Sequence, residues 1–258
     1  MLNDNSLKKL KKDGFVIINT KSRKKLEKVR FKVFRILISE LKNKRINHNI
    51  EDIEFLFNNF HKLKINDSDL NSIRVNLIKK LNKNEKIIED LYKIFNHDLK
   101  KMLGLDIVGQ RKVNLVIQKP NDKSVAPIHR DSPPNSPHEI VFWLPLVNCY
   151  KTKSINILES KFTDQVNKMF NSKKLNYKKI EDFFKKKSTS INCNFGQILL
   201  FLTPNFHYIP VNVQNETRFS LNFRFKNLFS AYGSKSYPEY FKIMNLTKKS
   251  KLRIFKNV

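Results

Sequence analysis

The 258-residue chain is 40% hydrophobic and 11% aromatic, which argues against global disorder, and its 5 glycines leave almost no room for motifs built from several glycines. Its net charge of +28 is explained either by a codon bias toward Lys, Asn and Ile or by an anionic partner, such as a nucleotide-linked sugar, a nucleic acid or an acidic membrane. We favour the codon bias because the lysines are spread along the whole chain, whereas a nucleic-acid binder would concentrate them with aromatics or on one element.

The first hundred residues are predicted to be mostly helical. Apolar residues recur at helical spacing over 26–41 and again over 84–104, where Gly104 is a natural C-terminal stop. Before these helices the sequence DGFVIIN predicts a single strand, because it is short, apolar and β-branched. Two shorter helices are predicted over 52–61 and 69–81, and the strand covers 13–19.

After Gly104 the pattern changes to short segments that are β-branched or aromatic and bounded by Pro, Asn, Asp or Ser. Such a series predicts strands, and their spacing is typical of a barrel or jelly roll. The predicted strands cover 112–120, 139–147, 153–159, 197–202 and 218–225.

We therefore predict an α+β protein in three parts. Residues 1–104 supply an N-terminal strand and helices that pack on a barrel and support it. Residues 105–232 form the barrel, with a Lys-rich helical insertion at about 160–188. Residues 233–258 are a basic C-terminal segment of weak pattern.

The cysteines and the N-terminal sequence bear on the cellular compartment in which the protein is expected. Cys149 and Cys193 form no CxxC pair, so the sequence predicts neither a zinc site nor a disulfide framework. Residues 1–14 lack the apolar stretch of a signal peptide, and the longest apolar runs, VFWLPLV and ILLFL, are too short to span a bilayer. We expect a soluble cytoplasmic protein with no membrane span.

The segment APIHRDS, residues 126–132, carries a histidine and an aspartate separated by one residue. A protein-kinase catalytic loop has these letters, but it places its Asn one residue later than Asn135. The nearest match to the kinase D-F-G is NFG at 194–196, no G-x-G-x-x-G is present, and the predicted helices precede the strands. We therefore reject the kinase interpretation.

The second interpretation is half of an iron site. Side chains alternate along a strand, so His129 and Asp131 would share one face. An imidazole and a carboxylate suit Fe(II), and a second histidine would complete a facial triad that leaves positions open for a cosubstrate and oxygen. His207 fits best because it follows a Gly-led buried strand and a short turn. His138 is the runner-up, while His48, His61 and His97 lie in the helical part, and each histidine taken singly is more typical of a surface or core residue.

The strand RFSLNFRF, residues 218–225, has one apolar face and one face with two cations, a hydroxyl and an amide. A sandwich strand with its polar face in water has the same pattern. A barrel that holds a dicarboxylate needs it too, since the guanidinium of Arg218 can grip a carboxylate through two hydrogen bonds and Ser220 adds a third donor. With the iron triad, this strand predicts 2-oxoglutarate as cosubstrate and O2 as oxidant.

Several stretches together resemble the Fe(II)/2-oxoglutarate-dependent dioxygenases. LKKLKKDGFVIIN resembles the start of the phytanoyl-CoA-hydroxylase-like branch, and residues 104–232 resemble the oxygenases of sporadic carbohydrate-biosynthesis clusters of bacteria. The matching stretches are GLDIVGQRKVNLVIQKPND, PIHRDSPPNSPHEIVFWLPLVNCYKTKSI, FGQILLF and NETRFSLNFRFKNLFSAYGSK. The resemblance implies a double-stranded β-helix (a cupin-like jelly roll), with His129, Asp131 and His207 as iron ligands and Arg218 and Ser220 as the 2-oxoglutarate clamp.

Other positions match the family less closely. The resemblance places Asn114 and Gln118 near cosubstrate or substrate, although hydrogen bonds inside the barrel explain them equally well. The chain departs from the family where HYIPVN replaces the usual HGN at the distal histidine, where Phe219 replaces Trp, and where His138 replaces Tyr. These departures leave the iron ligands and the 2-oxoglutarate clamp in place, so they affect the identity of the substrate and not the class of reaction.

The resemblance implies a carbohydrate or nucleotide-sugar substrate, oxidised at a C–H bond in bacterial polysaccharide or glycan biosynthesis. Trp143, Lys153 and Arg224 are candidate substrate contacts. A tryptophan at position 143 is also typical of a protein core, and a lysine at position 153 is also typical of a solvated surface. The insertion over 160–188 is a candidate lid. The alternatives are a catalytically silent jelly-roll module for an anionic sugar or nucleic acid, and a nucleic-acid binder driven by charge alone, for which the sequence has no motif.

Overall fold

The computed structural model of the chain describes residues 2–46, 52–123 and 125–255. His48 lies outside the described residues. The helices are α1 (Asp4–Asp13), α2 (Arg23–Asn43), α3 (Ile53–Asn59), α4 (Asp67–Lys83), α5 (Ile87–Leu103), α6 (Thr163–Phe170), α7 (Tyr177–Lys187) and α8 (Lys248–Phe255). The strands are β1 (Phe15–Asn19), β2 (Ile107–Gln110), β3 (Asn114–Gln118), β4 (Ile140–Pro145), β5 (Asn156–Ile157), β6 (Thr189–Ser190), β7 (Gln197–Leu202), β8 (His207–Tyr208), β9 (Arg218–Asn227) and β10 (Phe241–Asn245).

The N-terminal helices form where the apolar spacing predicts them, with one addition. Helix α1 precedes the predicted strand and was not expected from the sequence. The side chain of Asn3 caps its first turn by accepting from the Ser6 N–H at 2.8 Å, and Gly14 ends it at φ 79°. Helix α5 ends at Gly104, as predicted, again with a positive φ.

The strands form two antiparallel sheets. The larger has seven strands in the order β1-β7-β4-β9-β2-β10, with β3 paired to the first half of β9, and the smaller has the order β6-β5-β8. Neither sheet closes on itself within the described ranges, so the structure is a mixture of helices and open antiparallel sheets. Strand β9 is central because it contacts β3, β2 and β4 along its length.

The two faces of β9 have different partners. The apolar face packs on the N-terminal helices: the ring of Phe57 in α3 stacks on Phe219 at 4.4 Å between centroids, and Phe95 in α5 lies 6.4 Å from Phe223. Burial of each such side chain contributes about 1.5–3 kcal/mol. The helical region therefore packs on the apolar face of the sheet, and the opposite face of β9, which carries Arg218, lies toward the rest of the chain.

Both ends of the chain join the larger sheet. Strand β1 pairs with β7, and β10, within the segment predicted to be weakly patterned, pairs with β2. No helix of the described residues has the length and apolar character needed to cross a membrane.

Candidate metal centre

His129 and His207 lie side by side because their backbones are bonded to each other. The N–H of His129 donates to the carbonyl of His207 at 3.0 Å, and the N–H of His207 donates back at 2.8 Å. His207 begins β8, and His129 joins that strand through this single antiparallel bridge. The two imidazole rings are 4.3 Å apart between centroids.

Asp131 completes a cluster of three potential metal ligands. The N–H groups of Asp131 and Ser132 both donate to the carbonyl of Thr203, at 3.0 and 3.1 Å, which fixes the loop after His129. One ligand atom from each of the three residues lies within 4.8 Å of the others. Arg130, between the two ligands, points away from them, and its guanidinium lies 5.5 Å from the Phe206 ring. The expected alternation is therefore present although the segment is largely loop.

Hydrogen bonds decide which imidazole nitrogens are free. His129 Nδ1 lies 2.7 Å from the carbonyl of Pro127, and His207 Nδ1 lies 3.0 Å from the carbonyl of Asn205. A carbonyl can only accept, so both Nδ1 atoms carry the hydrogen and both Nε2 lone pairs are available to a metal. Burial and the neighbouring His129 lower the pKa of His207 to about 4, which keeps this imidazole neutral.

Asp131 is held as a carboxylate by Arg224. Burial alone would raise the pKa of Asp131, but the Arg224 guanidinium holds it below its usual range. Arg224 Nη2 lies 2.8 Å from Asp131 Oδ2. Two imidazoles and one carboxylate are the donor set of the facial triad that binds Fe(II). The residues present therefore fit this metal.

Arg218 and Ser220 form a buried polar pair on the same face of β9 as Arg224. Both are fully buried, and the Arg218 guanidinium makes one hydrogen bond within the described part of the chain, from Nη1 to the Ser154 carbonyl at 3.2 Å. In the same part of the chain, Arg218 Nε and Ser220 Oγ have no hydrogen-bond partner. Burial lowers the pKa of Arg218 to about 10, so it is still a cation at neutral pH. A buried cation with unsatisfied donors fits a carboxylate ligand.

Of the two predicted residues on β3, only Gln118 joins this pair. It lies directly opposite Arg218 across the ladder, is buried, and donates from Nε2 to the Pro210 carbonyl at 2.9 Å. Asn114 lies opposite Asn222 at the far end of the strand and is exposed. His138, the runner-up ligand, is exposed in its loop and is not part of the cluster of three.

The contacts of two predicted substrate residues do not fit that role. Lys153 is neither solvated nor open to a ligand: it is fully buried, and its Nζ donates to Asn58 Oδ1 and to Glu216 Oε2, both at 2.7 Å. Arg224 is occupied by Asp131 and by the Tyr240 hydroxyl at 3.0 Å. Trp143 is 3% exposed and belongs to the main core, as its alternative interpretation held.

The packing of the insertion, the candidate lid, favours its alternative interpretation as a helical decoration. Helices α6 and α7 pack in one cluster with Phe206 and Tyr208. These two residues flank His207, and along an extended chain their side chains point to the face opposite its imidazole. The helices therefore lie behind the ligand-bearing segments. A cavity of about 390 Å³ lies on that outer side, lined by Ile128, Tyr208 and residues of α7, with none of the three ligands among its walls.

Sequence reasoning missed the partners of Asp131. Period-two alternation placed Arg224 on the polar face of its strand, but nothing in the sequence indicated that Asp131 would be its partner. The buried carboxylate of Glu139, whose Oε2 lies 3.9 Å from Arg224 Nε, was likewise unexpected. Both contacts depend on chain segments brought together only in the fold.

No protein-family model matches the sequence, and no curated protein matches it. Solved structures do match over most of their length. A non-haem monooxygenase, ThoJ, in complex with nickel is 11% identical, with 93% of this chain and 83% of that chain covered and a TM-score of 0.54. The epimerase SnoN with Fe3+, alpha-ketoglutarate and nogalamycin RO is 10% identical, with 94% and 98% covered and a TM-score of 0.53. HygX of Streptomyces hygroscopicus with iron bound is 12% identical, with 90% and 89% covered and a TM-score of 0.50. The chain therefore shares its fold with solved structures of non-haem oxygenases and iron-binding relatives of that fold.

Proposed function

We propose that the chain is an Fe(II)- and 2-oxoglutarate-dependent oxygenase. The observation that carries this proposal is the combination of His129, Asp131 and His207, with both imidazole Nε2 atoms free, and a buried Arg218–Ser220 pair with unsatisfied donors. Neither feature alone is specific. Together they provide sites for the metal and for the far carboxylate of the cosubstrate within the fold of non-haem oxygenases.

Each residue has a defined task in this proposal. The triad would hold iron, which together with 2-oxoglutarate and O2 supplies an oxidant for a substrate C–H bond. Arg218 and Ser220 bind the far carboxylate of 2-oxoglutarate and set its orientation, and their complete burial keeps water from that end of the cosubstrate. The carbonyls of Pro127 and Asn205 keep the imidazoles in the tautomer that a metal requires.

Finer assignments also belong to the proposal. We place the two antiparallel sheets as the halves of a jelly roll, because Arg218 and Arg224 of the larger sheet contact Ser154 and Asp131 beside the smaller one. The resemblance to phytanoyl-CoA-hydroxylase-like enzymes and to carbohydrate-cluster oxygenases supports a carbohydrate or nucleotide-linked sugar as substrate. The matched SnoN complex contains a nogalamycin derivative, which supports a small-molecule substrate.

Anaerobic visible spectroscopy with Fe(II) and 2-oxoglutarate tests the reaction class. We expect a weak charge-transfer band that needs both additions, that is lost in His129→Ala, and that needs more 2-oxoglutarate in Arg218→Met. The matched control is His97→Ala, because the His97 side chain is 59% exposed and lies away from the ligands. Folded wild-type protein that shows no band at high iron and cosubstrate would favour a silent binding module instead.

A further inference from the structure

Arg224 makes a separate contact with each arm of its guanidinium. Nη2 lies 2.8 Å from Asp131 Oδ2, and Nη1 donates to the Tyr240 hydroxyl at 3.0 Å. The side chain is 10% exposed, so these contacts form largely out of water. Because the guanidinium is planar, contacts at two of its nitrogens fix its orientation as well as its place. The carboxylate of Asp131 is then held by one oxygen, which leaves Oδ1 for the metal.

The segment that carries Tyr240 is packed directly on the loop that follows Asp131. The N–H of Ser234 donates to the Pro134 carbonyl at 3.0 Å, and the hydroxyl of Ser136 donates to the Ala231 carbonyl. At Gly233 a Cβ atom would come within 2.3 Å of the Pro134 carbonyl oxygen, so the backbones approach too closely for a side chain. The position of Tyr240 is therefore fixed relative to the ligand loop.

A second buried carboxylate limits where Arg224 can move. Glu139 is fully buried, its Oε1 accepts from the Ser136 N–H at 2.9 Å, and its Oε2 lies 3.9 Å from Arg224 Nε. A guanidinium between two carboxylates and a hydroxyl has its charge balanced from several sides. Removing Arg224 would take the guanidinium away from both the largely buried Asp131 carboxylate and the fully buried Glu139 side chain.

We propose that Arg224, held by Tyr240, is a positioning residue that fixes Asp131 as a metal ligand through one oxygen. This inference rests on the proposed function. It extends the metal site to the C-terminal segment, since the hydroxyl that holds Arg224 comes from the residue before β10. It also replaces the substrate contact that the sequence suggested for Arg224.

Co(II) binding by the purified full-length protein tests the proposal, because affinity and the visible spectrum of bound Co(II) report the ligand set without turnover. We expect Arg224→Met to weaken Co(II) binding about ten- to a hundredfold, the usual effect of losing a group that orients a metal ligand, and to change the spectrum. Arg224→Lys keeps the charge but cannot reach both partners, so its affinity should be intermediate. Tyr240→Phe should move affinity and spectrum in the same direction by less.

Arg111→Met is the matched control. Arg111 Nε donates to the carbonyls of Pro238 and Phe241 at 2.5 and 3.1 Å, so Arg111→Met removes a cation bonded to the same C-terminal segment but leaves the contacts of Arg224 with Asp131 and with the Tyr240 hydroxyl in place. We expect wild-type Co(II) affinity and spectrum in this variant. The proposal fails if folded Arg224→Met binds Co(II) as wild type does, if Arg224→Lys is fully wild type, or if Arg111→Met is equally impaired. If Arg224→Met does not fold, Tyr240→Phe decides: weaker Co(II) binding with a changed spectrum supports the proposal, and wild-type affinity and spectrum overturn it.

The same titration separates this inference from the proposed function. If the wild-type protein does not bind Co(II), the metal site is wrong, and both proposals fail with it. Wild-type protein that binds Co(II) but gives no charge-transfer band with Fe(II) and 2-oxoglutarate counts against the oxygenase alone, and the variants still test the role of Arg224.

Discussion

Gln118 and Arg218 lie directly opposite each other across the β3–β9 ladder, and both side chains are buried. Direct cross-strand partners project to the same face, so an amide and a guanidinium lie side by side in register in the interior of the protein, and Gln118 Oε1 and Arg218 Nε have no hydrogen-bond partner among the described residues. Burying such groups without full hydrogen bonding costs stability, and the cost is recovered only when a ligand satisfies them. Arg218 and Ser220, its neighbour on the same face of β9, therefore lead to two predictions about stability and binding.

Arg218→Met is expected to weaken 2-oxoglutarate binding and to leave the ligand-free protein as stable or more stable. A buried cation with unsatisfied donors costs desolvation free energy, and an apolar side chain of similar size avoids that cost. Thermal unfolding and cosubstrate titration measure the two effects on one sample. A variant that loses stability without losing affinity would show that Arg218 is structural.

Ser220→Ala is expected to weaken 2-oxoglutarate binding about tenfold, the cost of one hydrogen bond to a charged group, without loss of stability. The stability should hold because no described residue bonds to its buried hydroxyl. Isothermal titration with and without Fe(II) checks the affinity. Ser136→Ala is a useful contrast, since the Ser136 hydroxyl donates to the Ala231 carbonyl and its loss should lower stability.

Glu40→Gln is expected to flatten the acid side of the stability profile. Burial would raise the pKa of Glu40, but Lys80 at 2.5 Å and Asn76 at 2.9 Å outweigh it and hold the pKa below 4.5. The carboxylate therefore stabilises the fold above pH 4.5, and that stability is lost as the pH falls through the folded-state pKa.

Urea unfolding at about pH 7 and about pH 3.5 measures this effect. Glu40→Gln should be clearly less stable than wild type at the higher pH, and the difference should shrink at the lower pH. The control is Glu27→Gln, because the Glu27 side chain is 54% exposed and its ion pair with Arg23 is on the surface. A pH-independent difference for Glu40→Gln would contradict the assigned pKa direction.

Gly14→Ala is expected to destabilise the protein much more than Gly196→Ala. Both glycines have a positive φ, which costs an alanine about 1–3 kcal/mol. A Cβ at Gly14 would also lie 2.1 Å from the Asn205 side chain, whereas Gly196 has nothing described within 4 Å of that position. Because the Asn205 carbonyl holds His207 Nδ1, we also expect weaker Co(II) binding in Gly14→Ala only. Equal unfolding temperatures for the two variants would contradict this packing.

The candidate site could be predicted where local rules suffice. Alternation placed His129 and Asp131 on one face, and the Gly-led strand before His207 indicated the distal ligand. The apolar and polar faces of β9 followed from period-two spacing and agree with the packing of Phe219 and Phe223 on the helices. These predictions depend only on neighbouring residues in the chain.

The remaining errors concern partners that are distant in sequence. The predicted strand over 153–159 is instead a short 3-10 helix at Lys151–Lys153 followed by the two-residue strand β5. Lys153 is buried because Asn58 and Glu216, from other parts of the chain, satisfy its ammonium group. The insertion was predicted to be helical, as it is, but the side of the sheet on which it packs is set by Phe206 and Tyr208 across the fold.

The larger sheet joins the first strand of the chain to the seventh and the second to the last. On the ribosome, β1 therefore emerges long before its partner β7, and β2 likewise emerges well before β10. We expect the metal ligands to remain unassembled during most of synthesis, because His207 and Arg224 follow the insertion. Pairings between such distant segments slow folding and leave strand edges exposed. This topology predicts that the three candidate metal ligands come together only late in folding.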